Sequence, residues 1–153
     1  MFLRLKGIEF LNFIGDIYKV PSDVRKKRFT EVCDRFGLTD SLNAPMLSYS
    51  HGMRQKIMVA AALVHNPDVW ILDEPLIGLD PKSAFELKAM MREHADAGNC
   101  VFFSTHILEV AEKLCDKVAI IKGGKLIRSG TMEEVKGDDS LEEVFLELEG
   151  ESC

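Results

Sequence analysis

At 153 residues the chain is about one domain long, and a composition 46% apolar and 29% charged is that of a folded globular protein, which excludes disordered and fibrous classes. A formal net charge of −6 argues against a nucleic-acid binder held by bulk electrostatics. The four cysteines, Cys33, Cys100, Cys115 and Cys153, have neither CxxC nor Cys/His ligand spacing, so no zinc site or disulfide framework is expected and a reducing cytoplasm is the default.

The opening Met1 to Lys6 mixes apolar and basic residues but lacks the ordered regions of a secretion signal. Gly7 to Tyr18 is apolar, yet Glu9, Asn12 and Asp16 interrupt it well short of the roughly 20 residues a membrane span requires. Phe10, Leu11, Phe13, Ile14, Ile17 and Tyr18 recur at helical spacing and predict a buried helix face. No strand precedes them, so the chain is expected to begin in mid-domain. Pro21-Ser22-Asp23 reads as a turn and cap before a helix running to Phe36 and ended by Gly37. Its basic run, Arg25 to Arg28, reads as a solvated face. Asn43-Ala44-Pro45 opens a loop, and from Met53 to Val64 the stripe Ile57, Ala60, Ala61, Val64 marks the next helix.

Asn66-Pro67-Asp68 stops that helix, and Val69 to Leu72 has the character of a short strand buried on both faces. Asp80-Pro81 starts a helix, with aspartate as cap and proline where a missing amide hydrogen is harmless, running to about His94. Ala97-Gly98-Asn99 leads into a strand, Cys100 to Ser104. A helix to Cys115 follows His106, then a strand Val118 to Ile121, then a Gly123-Gly124 turn into Leu126-Ile127. Thr131 to Glu134 and Ser140 to Glu143 both fit the capping box. Strands alternating with helices predict a parallel α/β sheet.

Two acids ending a buried apolar strand, Asp73-Glu74, need a partner, because an unpaired buried charge loses hydration worth several kcal/mol. A cation is the natural one. Ser50 stands with Gly52 at the start of a helix, where amides and the helix dipole favour an anion. Ser50 lies 23 positions before Asp73, Asp80 lies seven after it, and His106 ends the next strand.

In that order and register the segments Tyr49-Ser50-His51-Gly52-Met53, Val69 to Glu74, Gly78-Leu79-Asp80 and Ser104-Thr105-His106 resemble the signature (LSGGQ), Walker B, D-loop and switch histidine of the nucleotide-binding subunit of an ATP-binding cassette (ABC) transporter. Leu47-Ser48 also begins like the signature, but the count from Asp73 and the basic-glutamine-basic segment Arg54-Gln55-Lys56 select Ser50. Tyr49, His51 and Met53 depart from the pattern, as they do in the exporter-like branch, which the segment Ser140 to Phe145 also resembles. The other histidines, His51, His65 and His94, read as structural.

The resemblance implies an α/β fold of the P-loop NTPase (ABC ATPase) type, here its C-terminal part: a helical, signature-bearing subdomain over about residues 1–65 and a parallel-sheet core over about 66–153, lacking the Walker A strand. It implies ATP and Mg2+ as cofactors, with Asp73 holding the metal through water, Glu74 and His106 catalytic, and Ser50, Gly52 and Asp80 at the nucleotide and the interface with a second nucleotide-binding subunit. It also implies an integral membrane permease as partner, docked on the helical segment before Ser50, no nucleic acid, and a cytoplasmic place on the inner face of the cell membrane.

A phosphate-cradling loop, G-x-x-x-x-G-K-[ST], occurs nowhere. The only Gly-Lys pair, Gly124-Lys125, has Ala119 at the first glycine position and reads as a turn between strands. The expectation is an N-terminally truncated ATPase subunit, inactive alone, with a missing strand that would leave open edges at Cys100 to Ser104 and Val118 to Ile121. Two alternatives stand beside it: a non-catalytic module lending its signature to a full-length partner, and a soluble cassette ATPase outside transport.

Overall fold

The computed structural model describes residues 2–150, with side chains to Leu148. The chain forms two compact units, one ending at Phe103 and the other beginning at Ser104.

The first unit opens with two helices, α1 (Gly7–Ile17) and α2 (Ser22–Arg35), and two short 3-10 turns, Thr39–Ser41 and Met46–Ser48. Helix α3 (His51–Leu63) packs against both α1 and α2. Its predicted stripe is correct: Ile57, Ala60, Ala61 and Val64 are buried. Helix α2 ends where the sequence says, with Phe36 as cap and Gly37 in the left-handed region at φ +64°.

Two expectations for this region need correction. Of the six apolar residues predicted to form the buried face of α1, Phe10 and Leu11 are buried, but Phe13, Ile17 and Tyr18 are exposed. The helix is pinned near its other end by Arg25, which pairs with Asp16 and donates to the Asn12 carbonyl at 3.0 Å. Nor is the basic run a uniformly solvated face. Arg25 packs over Gly15, and Arg28 donates to the Val64 carbonyl at 3.0 Å, so its two ends tie α2 to α1 and α3.

Strand β1 (Val69–Asp73), helix α4 (Pro81–Asp96) and strand β2 (Cys100–Ser104) form a strand-helix-strand unit in which β1 and β2 are hydrogen-bonded neighbours. A helical crossover of this length is what joins parallel strands. Asp80 caps α4, accepting from the Ser83 amide at 3.0 Å, with Pro81 at the first position. The expectation that β1 is buried on both faces fails. Trp70 is 1% exposed, while Val69 is 54% and Ile71 71% exposed, and Phe102 on β2 is 62% exposed. The strands alternate, with one face covered and one apolar face open.

The second unit contains α5 (Leu108–Leu114), strands β3 (Lys117–Lys122) and β4 (Lys125–Thr131), and helices α6 (Met132–Lys136) and α7 (Leu141–Gly150). Ala111, Ile120, Val135, Leu141 and Val144 form its core. Gly123 and Gly124, at φ +56° and +75°, make the two-residue turn that a hairpin needs, and β3 pairs antiparallel with β4. β3 thus joins a second two-stranded sheet rather than extending the first in parallel. Both predicted capping boxes are present: Thr131 with Glu134, and Ser140 with Glu143. Among the described residues no helix is long and apolar enough to cross a membrane.

Candidate functional site

Ser50 is the N-cap of α3, in extended backbone, and its Oγ accepts from the Met53 amide at 3.2 Å. The residue before it turns inward. Tyr49 is 3% exposed, its hydroxyl donates to the Ser41 carbonyl at 2.7 Å, and that same hydroxyl oxygen fills the space beside Gly7. Burial raises the phenol above its ordinary range, with the Cys33 sulfur adding to the shift. Tyr49 is therefore a packing residue, and Ser50 after it starts the helix. Arg54 closes the turn from behind by donating to the Leu47 carbonyl at 3.1 Å.

β1 carries Asp73 and hands the chain to Glu74, whose backbone sits at φ +43°. A non-glycine residue in the left-handed region stores strain of order 1–3 kcal/mol and commonly marks a functional position. The loop then folds on itself, with the Ile77 amide donating to the Glu74 carbonyl at 3.2 Å. Asp73 is exposed and Glu74 half-buried, so the desolvation premise behind the expected cation does not hold at Asp73. The donor chemistry still suits Mg2+, which binds through one or two carboxylates and keeps several waters. Among the described residues no group of three or more His, Cys, Asp or Glu side chains is placed to hold a metal ion.

Asp80 holds three donors: the Ser83 amide at 3.0 Å, the Ser83 hydroxyl at 2.6 Å and Lys56 Nζ at 2.9 Å. The Ser83 hydroxyl, followed by Lys56, holds its carboxyl well below the usual range. The loop that ends at Asp80 meets α3 directly. A Cβ on Gly52 would stand 2.8 Å from the Gly78 carbonyl oxygen, and Gly78 itself has φ +76° with the His51 imidazole over its α-carbon. The first unit thus brings Ser50, Gly52, Asp73, Glu74 and Asp80 onto two adjoining segments, the start of α3 and the loop after β1. His106 belongs to the second unit, exposed just beyond β2, where Thr105 Oγ1 accepts from the Ile107 amide at 3.1 Å.

His65 and His94 are structural, as expected. His65 stacks on Tyr18 with ring centroids 3.7 Å apart, and burial and then Arg28 lower its pKa. His94 bonds through Nε2 to the Pro67 carbonyl at 2.8 Å. Lys56, Gln55 and His51 also contact the loop after β1, and in the sequence the segment Arg54-Gln55-Lys56 signals register but not these contacts.

Residues 7–77 match the family model described as ABC transporter. Similarity to a solved structure extends over the whole described fold: an ATP-binding subunit of an ABC transporter superposes with a TM-score of 0.91 at 30% identity, covering 97% of this chain and 64% of that one. The chain belongs to the ABC transporter ATP-binding family. Its fold is α/β of the P-loop ABC ATPase type, matching the C-terminal part of that domain. Among its relatives, an ABC transporter ATP-binding protein of a Nostoc species is 36% identical over 138 residues, 89% of this chain and 41% of its own length. A daunorubicin/doxorubicin resistance ATP-binding protein of Streptomyces peucetius is 37% identical over 132 residues, 86% of this chain and 40% of its own. The chain therefore spans about two fifths of the length of these curated relatives.

Proposed function

We propose that this chain is the signature-bearing and Walker B part of an ATPase subunit that powers an ABC transporter, on the export side of the family. The observation that carries the reading is the adjacency of the Ser50 helix start to the loop holding Glu74 and Asp80, in the order the family uses. In a complete site Glu74 polarises water for attack on the γ-phosphate, His106 positions phosphate and water, and Ser50 and Gly52 close over ATP bound to a facing subunit. Asp73 would hold Mg2+ through water, and the metal would neutralise phosphate charge. Asp80 stands in the subunit interface. In functional terms residues 1–65 form the signature subdomain and 66–153 the Walker B, D-loop and switch core.

The exposed aromatic and aliphatic residues of α1 and its flanks, Phe2, Phe13, Ile17 and Tyr18, lie in the helical segment before Ser50, and a membrane permease docks there, holding the protein at the inner face of the membrane. The resistance role named for the Streptomyces peucetius relative supports export.

The chain taken alone neither binds nor hydrolyses ATP measurably. Charge-assisted hydrogen bonds contribute roughly 1.5–3 kcal/mol each, and millimolar to micromolar binding is worth only about 4–8 kcal/mol in total. Losing the several bonds of a phosphate loop leaves almost no affinity.

The test is a chimera in which this chain replaces the matching 132-residue segment of the Streptomyces peucetius protein. MgATP hydrolysis is expected, with Glu74→Gln lowering it on the order of 10²–10⁴-fold and Ser50→Arg on the order of 10²-fold or more. A folded chimera whose hydrolysis survives both substitutions would sink the reading. Hydrolysis lost with Ser50→Arg but kept with Glu74→Gln would favour the second reading, a non-catalytic lender of the signature.

A further inference from the structure

Four contacts join one stripe of α3 to the loop after β1. The His51 imidazole lies over the α-carbon of Gly78, and Gly52 sits against the Gly78 carbonyl, where a Cβ would be 2.8 Å from the oxygen. One turn further along, Gln55 Nε2 donates to the Pro75 carbonyl at 3.3 Å, and Lys56 Nζ meets Asp80 Oδ2 at 2.9 Å. Positions 51 and 55, and 52 and 56, are i,i+4 pairs, so all four residues present one face. Lys56 also reaches back to the Phe36 carbonyl at 3.4 Å, and its side chain is only 13% exposed.

His51 supplies a contact that the family's signature pattern would not. It stands where the family signature has its first glycine, and a glycine has no atoms with which to cover Gly78. Gly78, in turn, is fixed on two grounds: a φ of +76°, and a ring in the place of any side chain.

We infer that His51, Gln55 and Lys56 are positioning residues that fasten the signature turn, residues 50–53, to residues 75–80, so that the two segments move as one piece. Asp80 then acts on the site through Lys56 and α3, by setting where Ser50 is held. Its carboxylate is already engaged by Ser83 and Lys56. The importance of Ser50 rests on the function proposed above, whereas the fastening is a property of the apo chain.

Amide hydrogen exchange of the whole chain without nucleotide, resolved by peptide, tests it. His51→Ala and Lys56→Met should each speed exchange on the order of tenfold or more in the peptide covering residues 74–81 as well as in that covering 47–56. Peptides from β3 and β4, in the second unit, should be unchanged, and Lys56→Arg should retain protection. If the 74–81 peptide keeps its wild-type rate in both variants while 47–56 alone speeds up, the fastening is overturned. Should Lys56→Met unfold the chain, as read by Trp70 fluorescence, His51→Ala still decides. Because no nucleotide is present, failure here leaves the ATPase reading intact, and failure of that reading leaves this one intact.

Discussion

Trp70 meets the His94 ring edge-on, with centroids 5.6 Å apart at 75°, and His94 in turn bonds to the Pro67 carbonyl at 2.8 Å. That pair seals β1 against α4, since Trp70 is 1% and His94 9% exposed.

Replacing His94 by alanine removes the ring packed on Trp70 and leaves the Pro67 carbonyl without its donor. The expected loss is about 2–4 kcal/mol, the range for a buried large-to-small change that also breaks a hydrogen bond. Trp70 is the single tryptophan, so its fluorescence in a urea titration reports the first unit directly. A midpoint unchanged by His94→Ala would remove the pair from the list of stabilising contacts.

Cys33 is fully buried, and burial, with Asp34 adding to it, pushes its thiol up to about 12. A group whose folded pKa is raised contributes stability that is whole below the unfolded value and lost as pH rises through the folded one. For Cys33 that window runs from about 9 to about 12. Stability should therefore decline through it, and Cys33→Ala should flatten the decline. At neutral pH a maleimide should modify exposed Cys100 in the native chain and reach Cys33 only on unfolding. Native labelling of Cys33 at the rate of Cys100 would contradict the burial.

Glu74, at φ +43°, separates conformation from chemistry. Glu74→Gly relieves the left-handed strain and should raise thermal stability relative to Glu74→Ala by about 1 kcal/mol. In the chimera both substitutions should abolish hydrolysis, because neither can take a proton from water. Equal stability of the two variants would show that the backbone is not strained.

The open face of β1 and β2 presents Val69, Ile71 and Phe102. An uncovered apolar strand surface is an aggregation site. Ile71→Lys with Phe102→Lys should lower self-association in light scattering while changing stability by no more than about 0.5 kcal/mol, the range for exposed positions. A large loss of stability would mean that this face is packed in solution.

Local chemistry made much of the fold legible. Asp80-Pro81, Thr131 with Glu134, Ser140 with Glu143 and Gly123-Gly124 all do what their residue types dictate, because caps and tight turns depend on atoms within a few positions. The strand Val69–Asp73 was also legible, but which of its faces is covered was not. An apolar run reads alike whether one or both sides are packed, and the alternation of buried Trp70 with exposed Ile71 is set by distant elements. For the same reason α1 looked buried along a stripe that is half open. At the candidate site, motif spacing singled out Ser50, Asp73, Glu74 and Asp80. It could not show that Lys56 and Asp80, 24 positions apart, form an ion pair, or that His51 covers Gly78. Such contacts exist only once α3 and the loop after β1 are packed together.

The central claim is that this chain supplies the signature and Walker B sides of an ATP site and lacks the phosphate-cradling side. Titration calorimetry of MgATP into the purified chain addresses it most directly. The account predicts no measurable binding heat at micromolar concentrations of nucleotide and protein. A saturable isotherm with a micromolar dissociation constant, abolished by Asp73→Asn, would contradict it.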